Sequence, residues 1–242
     1  MNFGRGFFAF PPVVKYLLII NGAMFVLVYL AGLNLLPQFA IYSFKSDLFK
    51  PYQLITHMFL HGGFAHLFFN MFALWMFGRV LEQIWGSQRF FIYYFVCGAG
   101  AAILHLFVMQ IEINSLIKIM NPESINTVMA EGSQVLKMGK NYIDPQMRDL
   151  NLLLNTPTVG ASGAVYGLLL AYGMLFPNSV IYLYLAIPIK AKYFVMIFAA
   201  LELYLGFTRT GSNIAHFAHL GGMLFGLIMI LMWKKNQFNR WK

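Results

Sequence analysis

Ser162 lies in residues 157–167, PTVGASGAVYG, at the mouth of an apolar run that continues LLLAYGMLF. A serine hydroxyl is a weak nucleophile until a neighbouring base takes its proton. Histidine is the side chain whose ordinary pKa suits that task near pH 7. His219 sits in another apolar run, NIAHFAHLGGMLFGLIMILMW, with His216 three residues before it. A further run, THMFLHGGFAHLFFNMFALWMFG, carries His57, His61, His66 and Asn70. Attack of a serine on a carbonyl carbon creates an oxyanion, which needs preorganised N–H donors. His66 offers a ring N–H and Asn70 an amide. The backbone N–H of Ser162 stands near the start of a helix, where N–H groups are unpaired and the dipole favours negative charge. Residue types therefore describe acyl transfer, with Ser162 as nucleophile, His219 as base, and His66 and Asn70 as oxyanion donors. Spacing agrees, because His66 and Asn70 lie four apart on one helical face, as do Ser162 and Tyr166. Tyr166, one turn from Ser162, is placed to stack on the histidine ring.

Taken alone, Ser162 reads as a small residue at a helix contact; its company with His219, His66 and Asn70 favours the nucleophile. The pattern is not the nucleophile elbow of soluble hydrolases, G-x-S-x-G after a strand, since position 164 is alanine and no strand pattern precedes it. A third, acidic member is missing from these three runs apart from Glu82 near the end of one of them. Glu202 stands toward the middle of a different apolar run, where a bond to a neighbouring helix is its simplest role. The expected pair is thus a Ser–His dyad. His216, about 60° from the His219 face at 100° per residue, reads as structural or cavity-lining. His57 and His61 read as interfacial. The spacing of His57, His61 and His66 does not follow H-E-x-x-H and has no interleaved carboxylate, so no metal centre is expected.

The elements that must position these groups are membrane spans. The chain has 242 residues, 60% hydrophobic and 10% charged, against roughly 45–50% and about 25% in soluble domains. Six runs approach the ~20 apolar residues that a spanning helix needs: 13–35, 57–78, 90–110, 160–177, 191–207 and 213–233. The first is too long for a signal peptide's apolar region and is read as a retained span. Residues 178–189, with Pro188 before the fifth run, read as a re-entrant or interfacial connection. The net charge of +9 is read as lysines and arginines that orient helices, not as a nucleic-acid surface. Of 17 lysines and arginines, the connections on the side of the termini hold the larger share, and four of the others fall in the long 111–159 loop. Both termini are therefore placed in the cytoplasm, with 36–56, 111–159 and 208–212 outside. In 111–159, Asn121-Pro122 and Asp144-Pro145 are helix starts, so two short helices are expected. For Ser162 to reach His219, about two turns deep, the fourth helix must start below the surface. Residues 155–160, NTPTVG, supply an irregular descent, tolerated only if buried in protein or lining a wet cavity; a water-filled cavity open to the outside is expected.

At this point three segments together, HLFFN, GASGAVYG and AHLGGMLFG, resemble those of the rhomboid intramembrane serine proteases of bacterial type, over about residues 40–110 and 155–230. EQIWGSQRF resembles the family's short cytoplasmic turn. The resemblance implies an all-α membrane protein, a six-helix rhomboid-like bundle forming a single domain over 1–242, with a long extracytoplasmic loop, 111–159, between helices 3 and 4. It implies a Ser162–His219 dyad, an oxyanion site of His66 and Asn70, and support from Tyr166 and Gly163. Gly222 and Gly226, with Gly163 and Gly167, look like small-residue contacts between the fourth and sixth helices. The implied reaction is cofactor-free hydrolysis of a peptide bond in or beside a transmembrane segment of a membrane-protein substrate, in the lipid bilayer of a bacterial plasma membrane. Two departures stand out. The Trp-Arg pair that many bacterial members carry in the first outer loop does not occur in 36–56, and the 111–159 loop is longer than in minimal members. A catalytically inactive relative that binds transmembrane helices is the alternative; such proteins normally lose the serine or the histidine, and both are present here.

Overall fold

The computed structural model describes residues 10–183, 186–208 and 216–239. Its helices longer than one turn are α1 (Pro12–Tyr29), α2 (Phe64–Trp85), α3 (Ser87–Ile119), α4 (Pro122–Lys137), α5 (Pro145–Asn155), α6 (Ser162–Leu175), α7 (Ala191–Thr208) and α8 (His216–Asn239). Strands β1 (Val180–Leu183) and β2 (Ile187–Lys190) form the sheet seen among the described residues. Among the described residues, five helices (α1, α2, α3, α7 and α8) are long and apolar enough to cross a membrane, and α6 is a shorter apolar one. The architecture is an all-α membrane bundle. Large apolar side chains point away from the protein along α1 (Ile19, Val26), α2 (Phe68, Phe69) and α7 (Ile197, Phe207), as lipid-facing surfaces do.

The spans differ in detail from the apolar runs. The second was expected at 57–78, but its helix runs Phe64–Trp85. Residues 57–59 form a separate 3-10 turn, and Gly62 and Gly63 precede the helix. The helix stops at Gly86, whose φ of 76° suits a residue without a side chain. A π turn, Leu74–Gly78, interrupts α2 where Gly78 faces Val14 and Phe90. The third span is 33 residues long, about 50 Å at 1.5 Å per residue and so well beyond a hydrocarbon core of about 30 Å. Its projecting end carries the helices of the 111–159 segment: Leu106, Met109 and Ile113 pack with Val128, Leu150 and Leu154. Both helix starts read from the sequence are in place. Asn121 caps α4 by accepting from the Glu123 N–H at 2.9 Å, and Asp144 caps α5 by accepting from the Met147 N–H at 2.9 Å. Residues 178–189 contain a feature that apolar runs do not reveal, the antiparallel hairpin β1–β2, in which Val180 pairs with Lys190 and Tyr182 with Pro188. The 208–212 connection beyond Thr208 and the first residues of the sixth run lie outside the described residues.

At one end of the bundle Glu82 joins three helices. Its carboxylate accepts from the N–H groups of Val13 (3.0 Å) and Val14 (2.8 Å) at the start of α1, and from the Ser87 hydroxyl (2.7 Å) at the start of α3. It therefore satisfies unpaired N–H groups and meets the positive end of the α1 dipole while itself only 2% exposed. Charge-assisted bonds of this kind contribute about 1.5–3 kcal/mol each. Glu82→Gln is expected to lower the unfolding midpoint in detergent, by a loss on the order of 1–3 kcal/mol; a midpoint equal to the native one would show that the cap does not bear on stability.

Candidate active site

The site begins with the approach of α6 and α8. A Cβ on Gly222 would fall on the Gly163 carbonyl, and one on Gly167 would come within 2.6 Å of Cys97 Sγ and 3.1 Å of the Gly222 carbonyl oxygen. On Gly163 it would strike the Ala101 methyl, and on Gly226 the Tyr93 hydroxyl, itself donated to the Gly167 carbonyl at 2.8 Å. Glycine at these positions lets the two backbones touch with α3 behind them. The small-residue contacts expected at Gly163, Gly167, Gly222 and Gly226 therefore involve α3 as well as α6 and α8.

That closeness brings together the two residues singled out in the sequence. The Ser162 hydroxyl lies 2.9 Å from His219 Nε2, and the Tyr166 ring stacks on the His219 ring with centroids 4.2 Å apart and planes 5° apart. Ser162 is the first residue of α6, so its N–H has no intrahelical partner. The segment before it is held by backbone bonds: Ile41 and Thr158 exchange a pair at 3.0 and 2.9 Å, and the Gly160 N–H donates to the His57 carbonyl at 2.9 Å. The descent expected at 155–160 is thus irregular but hydrogen-bonded within the protein. At 14 residues α6 spans about 21 Å, short of a bilayer core of about 30 Å.

His66 and Asn70 fall on one turn of α2. The Gly62 N–H points at His66 Nδ1 at 3.3 Å. Nδ1 then acts as acceptor, which leaves the proton on Nε2. Gly160 makes room for that nitrogen: with φ of 127°, a Cβ there would lie 2.8 Å from His66 Nε2 and 3.7 Å from Ser162 Oγ. The His66 imidazole and the Ser162 hydroxyl thus face the same small space. Asn70, 5% exposed, donates one amide N–H to the His66 carbonyl at 3.0 Å and keeps a second.

Glu202 is the residue whose place the sequence did not give. The sequence assigns it no more than a bond to a neighbouring helix, because it stands in a different apolar run from Ser162, His219 and His66. On α7 it follows Ala191 and Val195 on the buried face, and from there it reaches across to α6 and α8. Oε1 accepts from the Tyr166 hydroxyl at 2.5 Å and lies 3.0 Å from His219 Nδ1; Oε2 accepts from His216 Nδ1 at 2.6 Å. The approach to His219 is close but bent. The expected bond from Glu202 to a neighbouring helix exists, and its partners are the catalytic candidates themselves. The available signal was its periodicity with Ala191 and Val195, together with the cost of an unpartnered carboxylate in a span.

His57 and His61 are buried within the protein. His57 donates to the Gln53 carbonyl at 2.8 Å, and its own carbonyl receives Gly160. His61 packs edge-on against His66, with centroids 5.1 Å apart. His105, which no motif marks, meets the Thr158 hydroxyl at 3.0 Å and braces the segment before Ser162. Among the described residues, the one group with the proximity of metal ligands is Glu202, His216 and His219. Its N···O separations of 2.6 and 3.0 Å are shorter than the roughly 3.3 Å between ligands of tetrahedral zinc with bonds of about 2.0 Å.

Residues 49–236 match the Rhomboid domain. Among curated proteins the chain is 26% identical over 196 residues to RHOMBOID-like protein 12, mitochondrial, of Arabidopsis thaliana, covering 81% of this chain and 50% of that protein. It is 26% identical to Rhomboid protease GluP of Bacillus subtilis, over 72% of this chain and 24% of that protein. Against Rhomboid protein 1, mitochondrial, of Saccharomyces cerevisiae it is 25% identical, over 72% of this chain and 40% of that protein. The chain thus spans half or less of the length of these relatives.

Gly160→Ala sets a side chain against the His66 ring at a backbone angle that L residues rarely adopt. It is expected to cost on the order of 1–3 kcal/mol of stability and to slow labelling of Ser162 by a fluorophosphonate. Labelling at the native rate would show that the space between His66 and Ser162 plays no part in serine reactivity.

Proposed function

We propose that this chain, which belongs to the rhomboid family, is an intramembrane serine protease that cuts peptide bonds in or beside the transmembrane segments of membrane-protein substrates. The observation that carries this reading is the 2.9 Å contact between the Ser162 hydroxyl and His219 Nε2, beside the space at Gly160 that His66 Nε2 also borders. Ser162 Oγ attacks the substrate carbonyl carbon while His219 Nε2 takes its proton. The carbonyl π electrons move to oxygen, and the oxyanion is met by His66 Nε2–H, the free Asn70 amide N–H and the Ser162 backbone N–H. Collapse breaks the C–N bond, and His219 returns the proton to the departing amine. Water, activated by His219, then hydrolyses the acyl-enzyme and frees Ser162. Tyr166 holds the imidazole plane by stacking. The reading needs a water path to Ser162, the cavity anticipated from the sequence. It also takes the topology from the distribution of positive charge: termini in the cytoplasm, the 111–159 segment and the mouth of the site outside, in a bacterial plasma membrane.

The test is cleavage of a membrane-anchored reporter in proteoliposomes, with fluorophosphonate labelling alongside. Ser162→Ala and His219→Ala are each expected to cut activity by about 10⁴-fold or more, because the pair works as a unit. Asn70→Ala should lose about 10²–10³-fold or less, since other donors remain. Native protein that neither cleaves nor labels at Ser162 would instead indicate a rhomboid relative that binds transmembrane helices without cutting them.

A further inference from the structure

We propose that Glu202 is a positioning residue that completes a Ser162–His219–Glu202 triad, fixing His219 with its proton on Nδ1 and steadying the imidazolium formed as Ser162 attacks. This rests on the reading of Ser162 and His219 as nucleophile and base, and deepens it. For His219 to take the serine proton at Nε2, that nitrogen must be bare and the other must carry the hydrogen. An imidazole stacked on a tyrosine has no preference of its own between the two tautomers. A carboxylate oxygen 3.0 Å from Nδ1 supplies one through its negative charge, although the approach is too bent to count as a hydrogen bond in the resting geometry, since a carboxylate can only accept. In the attack the serine proton passes to Nε2, the Oγ–carbon bond forms, and the Nδ1–H stays on His219 facing Glu202. No proton transfer to Glu202 is needed at any step.

The carboxylate is held by both of its oxygens. Tyr166, already stacked on His219, donates to Oε1, and His216, one turn before His219 on α8, donates to Oε2. The same tyrosine therefore fixes the ring plane and the acceptor that the ring faces. Glu202 comes from α7, a helix with 17% of its span buried, so it is a strongly polar group reaching inward from a largely lipid-facing element. A helix needing only an anchor could use an apolar or neutral side chain there; an acid in a span is costly unless its charge is used or partnered. The other titratable groups around His219 are Ser162 and Tyr166 on α6, His216 on α8, and His66 on α2 and His105 on α3 within electrostatic reach.

The experiment compares native protein, Glu202→Gln, Glu202→Asp and Ser162→Ala, purified whole in detergent. Serine acylation by a fluorophosphonate is followed against pH. The tautomer and titration of His219 are read separately by ¹⁵N NMR of histidine-labelled protein, with each imidazole assigned by its own substitution. Glu202→Gln can present its amide to Nδ1 and reverse the tautomer, so acylation should fall about 10²–10⁴-fold while reporter KM stays near native. Loss of the negative charge removes support for the imidazolium. The acidic limb of the residual activity is expected to move to lower pH. Glu202→Asp should recover part of the rate and the native tautomer. An unchanged rate and limb in Glu202→Gln would overturn the triad. So would a slower enzyme whose His219 tautomer and titration match the native ones, which would mark Glu202 as an anchor for α7. If native protein fails to label at Ser162, the protease reading fails, and the NMR comparison still decides whether Glu202 sets the His219 tautomer.

Discussion

A polar group within a hydrocarbon layer has no water to turn to, and this site is built around that constraint. Ser162, His219, Glu202, Tyr166 and His216 come from three helices, and each of the four outer groups meets a partner within the set. Removing any member leaves another buried polar group short of a bond, at a cost comparable to its desolvation. The network therefore holds its own geometry. It also gives α7, whose surface is otherwise mostly turned to lipid, its polar attachment to α6 and α8.

The network can form only because the backbones beneath it come unusually close. Gly163 and Gly222 touch through main-chain atoms, so the first turn of α6 and the second turn of α8 lie side by side. A 2.9 Å contact between side chains as short as serine and histidine follows from that approach. Ala101 and Cys97 on α3 close the space behind. A methyl group on Gly222 would have to separate α8 from α6, and one on Gly163 would have to push α6 off Ala101 of α3; either shift is measured in the Ser162–His219 distance.

What the sequence revealed follows the same division. Spacing within one helix is legible, so His66 with Asn70, and Ser162 with Tyr166, could be paired by turn. The caps at Asn121 and Asp144 were legible too, because cap and first turn are neighbours in sequence. Contacts that depend on the azimuth of one helix against another were not. Glu202 lies 36 residues from Tyr166 and 14 from His216, and nothing local says that α7 turns that face inward against this pair. Glu82 was seen near the end of α2, but its role in capping α1 spans nearly 70 residues of chain. The limits of α2 were misplaced because an apolar run counts His57–Leu60 as spanning, whereas Gly62 and Gly63 separate that turn from the helix.

The shortness of α6 connects fold and chemistry. A helix of 14 residues leaves a stretch of chain at membrane depth without helical hydrogen bonds, which is tolerated only if other parts of the protein satisfy it. Here the Ile41–Thr158 bridge, the His57 carbonyl and His105 do so. The same shortness places the start of a helix, with its unpaired N–H groups and positive dipole end, inside the protein next to Ser162. A full-length span would bury those groups in the interface, far from any oxyanion. The irregular segment is thus the structural condition for having a helix N-terminus where, on the proposed mechanism, negative charge would develop, and that mechanism would depend on the residues that brace it as much as on those that would touch substrate.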